Sequence, residues 1–188
     1  MKVLILEGGA RKQGNTATVC GWVVEELETL GHQVERISLF DKQIRGCLAC
    51  GKCKQVTDQV ACVQQDDANV ILEKMVNAQV VLFTSPLYFW GITGPLKTFI
   101  DRTYSLYVQY HQPDHSSLVE GQRQGLLMTG GGPYENNVES AFIAFDRLQK
   151  PHKAISAGKW FVGSCSTPDK LPADIFHQAK EFARKLVG

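Results

Sequence analysis

The stretch KVLILEGGARKQGNTATVCGWVVEELETLG, residues 2–31, decides the fold. Lys2 to Leu6 is an apolar run long enough for a buried strand, and Gly8, Gly9 and Gly14 punctuate the loop behind it. From Thr16 to Leu30 the apolar residues Val19, Cys20, Val23, Val24, Leu27 and Leu30 recur at the helical period, with Asn15 placed to cap the helix and Gly31 to end it. A strand, a glycine-rich loop and a helix start aim free backbone N–H groups and the positive end of a helix dipole at one point. Arg11 adds a forked donor. Two readings follow: a cradle for a terminal phosphate held without a metal, or a plain glycine turn capped by Asn15. The loop lacks the Gly-Lys-Ser/Thr of a nucleotide-triphosphate loop and the G-x-G-x-x-G of a dinucleotide fold.

Outward from there the pattern repeats. Gln33 to Leu39 alternates as a second strand. Asp66 and Asp67 open a helix running to Val76, and Val80 to Thr84 is an unbroken apolar strand. Gly94-Pro95 starts a helix whose apolar face is Leu96, Phe99, Ile100, Thr103, Tyr104 and Tyr107. Gly125 to Thr129, Glu135 to Leu148, Ala157 to Gly163 and Pro172 to Val187 read as strand, helix, strand and helix. Five strands alternating with helices predict a single α/β domain over 1–188, an open doubly wound sheet that binds ligands at the carboxyl ends of its strands. At 188 residues, with 20 Lys+Arg against 19 Asp+Glu, the chain carries no basic signal for nucleic acid. No apolar run approaches a membrane span, and the first residues are too short for a leader. The expectation is a soluble cytoplasmic protein, in which six cysteines serve as ligands, redox groups or core residues rather than as disulfides.

Two further strand ends are unusual. The third runs into TSPLYFWGITGPLKTFIDR, with Tyr88, Phe89 and Trp90 consecutive after a proline. Flat aromatics beside backbone N–H groups suit a planar heteroaromatic ring; the alternative is a core plug. The fourth ends in MTGGGPYENN, where three glycines suit a ligand lying against the main chain. A phosphate cradle, an aromatic shelf and a glycine wall are thus expected along one sheet edge.

The cysteines group in IRGCLACGKCKQVTDQVAC, a predicted insertion over 44–65. Cys47, Cys50 and Cys53 are separated by two residues each, and Cys62 follows after eight more. Three readings stand: a 4Fe–4S cluster on these four thiolates, free thiols, or zinc. Lys52 and Lys54 would offset thiolate charge or be plain solvated charges. Cys20 is expected in the core, and Cys165 either as a plain loop thiol or, by its position after the fifth strand, near a site. The five histidines, His32, His111, His115, His152 and His177, are expected in turns or at the surface. The segment 109–122 reads as a lid or an oligomer arm.

The set GGARKQGNT, SPLYFWGITGPLKTFIDR and TGGG resembles the flavodoxin-like NAD(P)H-dependent FMN reductases over nearly the whole chain, and with the cysteine loop it resembles their iron–sulfur flavoprotein branch. The resemblance implies a flavodoxin-like three-layer α/β/α sandwich with a five-stranded parallel sheet and non-covalent FMN. Gly9, Arg11, Gly14, Asn15 and Thr16 would hold the phosphate. Pro86, Leu87, Tyr88, Phe89, Trp90 and Gly91 would line the ribityl chain and ring, and Thr129, Gly130, Gly131 and Gly132 would close the other side. Asp101 and Arg102 are read as structural. Departures are Gly9, where such families commonly carry serine, and the long gap before Cys62. NAD(P)H is the implied reductant, stacking on the exposed ring, with N–H groups near Trp90 and Gly91 facing the reduced flavin. A homodimer or homotetramer is expected, with Tyr104, Tyr107 and Tyr110 as a contact face or as packing within the chain. The rival reading is an electron-transfer flavoprotein fed by ferredoxin or serving a protein partner, without a small-molecule substrate.

Overall fold

The computed structural model describes residues 1–188. In chain order the elements are β1 (Lys2–Glu7), α1 (Asn15–Thr29), β2 (Gln33–Ser38), α2 (Asp67–Val76), β3 (Val80–Pro86), α3 (Gly94–Arg102), β4 (Tyr107–Val108), β5 (Ser116–Ser117), β6 (Arg123–Thr129), α4 (Glu139–His152), β7 (Ile155–Val162) and α5 (Ala173–Val187). Five strands form one parallel sheet in the order β2-β1-β3-β6-β7. The chain steps from β1 outward to β2, then crosses back to β3, so the direction of winding reverses between β1 and β3. Their carboxyl ends flank the crevice where such sheets bind ligands.

Alternation along the strands builds two cores. Leu4 and Leu6 face one side with Phe83, Leu96, Phe99 and Phe145, under α2, α3 and α4. Val3 and Ile5 face the other, with Val23, Ala179 and Phe182 under α1 and α5. Successive side chains of a strand point to opposite faces, so an unbroken apolar run such as β3 must be covered on both. Each such large apolar side chain stabilises the fold by about 1.5–3 kcal/mol on burial.

Several local expectations are corrected. Gly14, not Asn15, is the N-cap of α1, and no side chain caps it. The helix after Gly94-Pro95 ends at Arg102; a 3-10 turn, Thr103–Leu106, follows, so Tyr104 and Tyr107 lie beyond the helix. α4 starts at Glu139 because the Glu139 carboxylate accepts the N–H groups of Asn136 (2.8 Å) and Asn137 (2.7 Å) and holds them in a turn. His152 is not at the surface. It is fully buried, its Nδ1 3.0 Å from Gln124 Oε1 and its Nε2 3.1 Å from Thr103 Oγ1. Cys20 is in the core. Tyr107 is buried and stacks with Tyr110, and Tyr104 meets both edge-on.

The segment 109–122 closes the β4–β5 hairpin and leads into the amino end of β6. Its His115 bridges Val108 O and Pro151 O, both at 3.0 Å. It therefore sits at the sheet edge opposite the carboxyl ends and cannot cover a site there on the same chain.

Candidate functional site

The carboxyl ends of β1, β3, β6 and β7 surround a cavity of about 260 Å³. From the loop after β1 come Gly9, Ala10 and Arg11, and from the start of α1 come Gly14, Asn15 and Thr16. The first helical hydrogen bond of α1 runs from Thr18 N to Gly14 O, so the N–H groups of Asn15, Thr16 and Ala17 have no helical partner. Gly14 N donates to Arg11 O at 3.1 Å, which folds the loop back so that these groups face the cavity. Arg11 is exposed and enters no salt bridge, unlike its neighbour Lys12, which pairs with Asp41. An uncapped 15-residue helix beside an unpaired guanidinium is an anion site by charge and by donor supply.

The β3 end supplies Pro86, Leu87 and Tyr88. Leu87 N donates to Thr129 O at 2.7 Å, which fixes this wall against the β6 end. Beyond it the chain makes a two-residue hairpin: Tyr88 N donates to Gly91 O at 2.9 Å, and Gly91 N to Tyr88 O at 3.0 Å. Phe89 and Trp90 form the tip with φ of 47° and 60°. Both lie in the left-handed region, which costs a non-glycine residue roughly 1–2 kcal/mol. Asn-Gly is the usual solution for such a turn, and two large aromatics are not. Phe89 is 95% exposed, so packing does not hold it there. Gly91 N–H is spent on the hairpin, which corrects the expectation that it faces a reduced ring; no hydrogen bond engages the N–H groups of Phe89 and Trp90.

Thr129, Gly130 and Gly131 form the β6 wall. Thr129 Oγ1 and Thr16 Oγ1 are 2.7 Å apart and buried, tying this wall to the first turn of α1. The loop after β7 adds Cys165 and Ser166, which close the fourth side. Asn15 Nδ2 donates to Ser166 O at 3.2 Å, while Asn15 Oδ1 is buried with no partner. The Cys165 thiol donates to Val162 O at 3.1 Å, and burial pushes its pKa up. Sequence reasoning left Ala10 and Ser166 unnamed and placed Cys165 either near a site by its position after the fifth strand or, by preference, as a plain loop thiol. The usable signal was position, since residues after the fifth strand emerge at the same edge.

Four expected residues do not line this cavity. Phe89 stands at the hairpin tip. Trp90 and Gly91 border a separate apolar cleft of about 300 Å³ between α3 and α4. Gly132 packs on Asn137, whose Nδ2 would lie 2.9 Å from an added Cβ. Gly130 is likewise required by its neighbours, with Phe161 Cζ 2.9 Å from an added Cβ. At Gly131, a lining residue, an added Cβ would meet only Cys165 O, at 3.9 Å. The donor set fits FMN: unpaired N–H groups and a guanidinium for a phosphate, an orphaned acceptor for a ribityl hydroxyl, and flat walls for a ring.

The cysteine loop is separate. Its ends are pinned where Arg45 N donates to Asp66 Oδ2 at 3.0 Å and Gln43 N to Asp67 Oδ2 at 2.8 Å. Cys47 and Cys50 are exposed, Cys53 and Cys62 half-buried, and all four thiols are free. Their chemistry suits iron or zinc, but no three of them come together to share a metal. Burial pushes the Cys53 thiol up against the opposing charge of Lys54. Lys54 donates to Tyr104 O and, at 2.6 Å, to Tyr107 O, and lies 4.0 Å above the Tyr104 ring. Its charge serves the tyrosines more than the thiols. Asp101 pairs with Lys97 at the surface, whereas Arg102 is buried against Asp66 at 2.7 Å. Burial raises the Asp66 carboxyl, but Arg102 and the N–H groups of Arg45 and Ala68 outweigh it and hold its pKa below the usual range.

Comparison with known proteins agrees with this geometry. Residues 1–154 match the NADPH-dependent FMN reductase family. An iron-sulfur flavoprotein of Archaeoglobus fulgidus is 34% identical over 186 residues, covering 99% of this chain and 79% of its own. An iron-sulfur flavoprotein of Methanocaldococcus jannaschii is 34% identical over 110 residues, 58% of this chain and 55% of its own length. The crystal structure of an FMN-dependent NADH-azoreductase from Bacillus anthracis in complex with FMN superposes with a TM-score of 0.72 at 16% identity, covering 100% of both chains, and so shares the flavodoxin-like fold. No helix is long and apolar enough to cross a membrane. The chain belongs to the NADPH-dependent FMN reductase family and is a flavodoxin-like, FMN-dependent oxidoreductase.

Proposed function

We propose that the protein takes a hydride from NADPH or NADH onto FMN seated in the cavity at the ends of β1, β3, β6 and β7. The observation that carries this reading is the uncapped start of α1 opening, with the unpaired Arg11, into that cavity. In this reading the N–H groups of Gly9, Asn15 and Thr16 and the Arg11 guanidinium grip the phosphate, and Gly14 shapes the turn that presents them. Asn15 Oδ1 accepts a ribityl hydroxyl. Pro86, Leu87 and Tyr88 support one side of the ring and Thr129, Gly130 and Gly131 the other. Phe89, Trp90 and Gly91 form a rim beyond the cavity, where a nicotinamide would approach, and Gly132 shapes the β6 loop from behind. When bound, FMN supplies hydride acceptance and onward electron delivery. The protein's part is to position both partners and exclude water, and hydride transfer needs no side-chain acid or base.

The acceptor is a free flavin, a quinone, a nitro- or azo-compound, dioxygen or a protein. The relatives' names support a 4Fe–4S cluster on Cys47, Cys50, Cys53 and Cys62, and the alternative is four free thiols. Iron and sulfide analysis of anaerobically purified protein decides between them. We place the protein in the reducing cytoplasm as a homodimer or homotetramer, with 109–122 as a contact arm, which sedimentation measures. Mixing the FMN-loaded protein anaerobically with NADPH or NADH should bleach the flavin within seconds. A flavin that stays yellow with both, yet bleaches with reduced ferredoxin, overturns the proposal in favour of an electron-transfer module.

A further inference from the structure

One hydrogen bond ties the tip of the Phe89–Trp90 hairpin to the rest of the protein. Ser140 Oγ, in the first turn of α4, donates to Trp90 O at 2.8 Å across 50 residues of chain. The other hydrogen bonds of the segment 88–92 run between Tyr88 and Gly91 and close the hairpin on itself. The base is fixed separately, where Ser85 Oγ donates to Pro86 O at 2.8 Å and accepts the Thr93 N–H at 3.0 Å. At the tip, Phe89 is 95% and Trp90 60% exposed, so packing adds little. Two non-glycine residues in the left-handed region also bias the turn toward relaxing. The anchor itself is firm, because Val138, Ala141 and Phe142 on either side of Ser140 are buried in the core.

We propose, on the reading that a nicotinamide reduces FMN in the cavity, that Ser140 is a positioning residue for that step: it holds the Phe89–Trp90 rim where the nicotinamide approaches. The bond acts on a single peptide unit. In a planar trans peptide the C=O and the N–H point in opposite directions. With Trp90 O turned to Ser140 on α4, the Gly91 N–H of the same unit is turned to Tyr88 O, at 3.0 Å. Rotating that unit breaks both bonds. Ser140 therefore fixes Trp90 directly and, through Gly91, fixes Tyr88, which lines the FMN cavity. Ser140 does not line that cavity, so it reaches the reaction only through the hairpin.

The test compares FMN-loaded Ser140→Ala and Ser140→Thr with the unaltered protein in anaerobic stopped-flow bleaching by NADPH and by NADH. FMN affinity is read by flavin fluorescence. Ser140→Ala should raise the half-saturating donor concentration about three- to tenfold, the worth of one such hydrogen bond. The limiting bleaching rate and the FMN affinity should stay within about twofold, the pattern of a lost binding contribution. Ser140→Thr keeps the hydroxyl and should behave as the unaltered protein. Chymotrypsin should nick Ser140→Ala after Phe89 or Trp90 about three- to tenfold faster, with or without FMN, because the hairpin opens more often. Unchanged donor saturation or unchanged nicking in Ser140→Ala overturns the proposal and leaves the donor reading standing. So does a Ser140→Thr variant that behaves like Ser140→Ala, or a fall in FMN affinity large enough to account for the weaker bleaching. If neither donor bleaches the unaltered protein, the donor reading fails and the role of Ser140 fails with it.

Discussion

Thr16 and Thr129 meet hydroxyl to hydroxyl at 2.7 Å, although 113 residues separate them. One belongs to the first turn of α1 and the other to the last residue of β6, so this bond sets the distance between the phosphate-side and ring-side walls of the cavity. Replacing either with valine leaves the partner hydroxyl buried and unsatisfied, at a cost of about 1–3 kcal/mol. Replacing both removes donor and acceptor together. The double variant should therefore lose clearly less than the sum of the singles in urea denaturation, an interaction energy of about 0.5–3 kcal/mol. Strict additivity would mean that the two hydroxyls do not bond.

Adjacent glycines in the β6 loop should answer differently to alanine. At Gly130 the new methyl meets Phe161 at 2.9–3.0 Å, and overpacking of that kind costs about 1–3 kcal/mol. At Gly131, which lines the cavity, it meets nothing closer than 3.9 Å. Gly130→Ala should lower the urea midpoint. Gly131→Ala should keep the midpoint of the FMN-free protein and weaken FMN affinity, read by flavin fluorescence. Equal FMN affinity in Gly131→Ala and the unaltered protein would remove this wall from the site.

These contrasts show where sequence reasoning worked and where it stopped. The β1–loop–α1 unit is legible because strand period, glycines and helix period are all local. The cap is not: Gly14 displaces Asn15 because the Arg11–Gly14 turn ends one residue earlier. The TGGG run looks like one ligand wall, yet Gly130 answers to Phe161 and Gly132 to Asn137, contacts that only the folded chain creates. His152 reads as a polar residue ending a helix because its partners, Thr103 and Gln124, lie 49 and 28 residues away. The cysteines declare their chemistry in their spacing, but whether they converge is a three-dimensional matter.

The Phe89–Trp90 turn is strained for its residue types and gains little packing at Phe89, which points to use rather than stability. Phe89→Asn/Trp90→Gly installs the residues such a turn prefers. It should raise stability by roughly 1–2 kcal/mol. Aromatic stacking is worth about 0.5–1.5 kcal/mol per pair, so the same variant should weaken capture of the nicotinamide by up to about tenfold. Stopped-flow bleaching by NADPH, paired with thermal unfolding, reads both. A variant that is more stable and equally fast would show the aromatics to be idle.

His152 makes stability depend on pH in a window that can be isolated. Burial pushes its pKa down to about 4, against about 6.5 in an unfolded chain. Its ring faces Gln124, Thr103 and the Tyr107 ring, so no carboxylate is in contact to take up a positive charge. Above about pH 6.5 both states are neutral and the contribution is complete. Between about 6.5 and about 4 the unfolded chain binds a proton that the folded chain refuses, so stability falls as pH falls. By pH 5 the loss is about 2 kcal/mol, and by pH 4 about 3 kcal/mol. Urea unfolding at pH 7 and pH 5 should show this drop, and His152→Gln should flatten most of it while lowering stability at pH 7. A drop of equal size in His152→Gln would assign the pH dependence to other groups, since at pH 5 most carboxylates are still ionised.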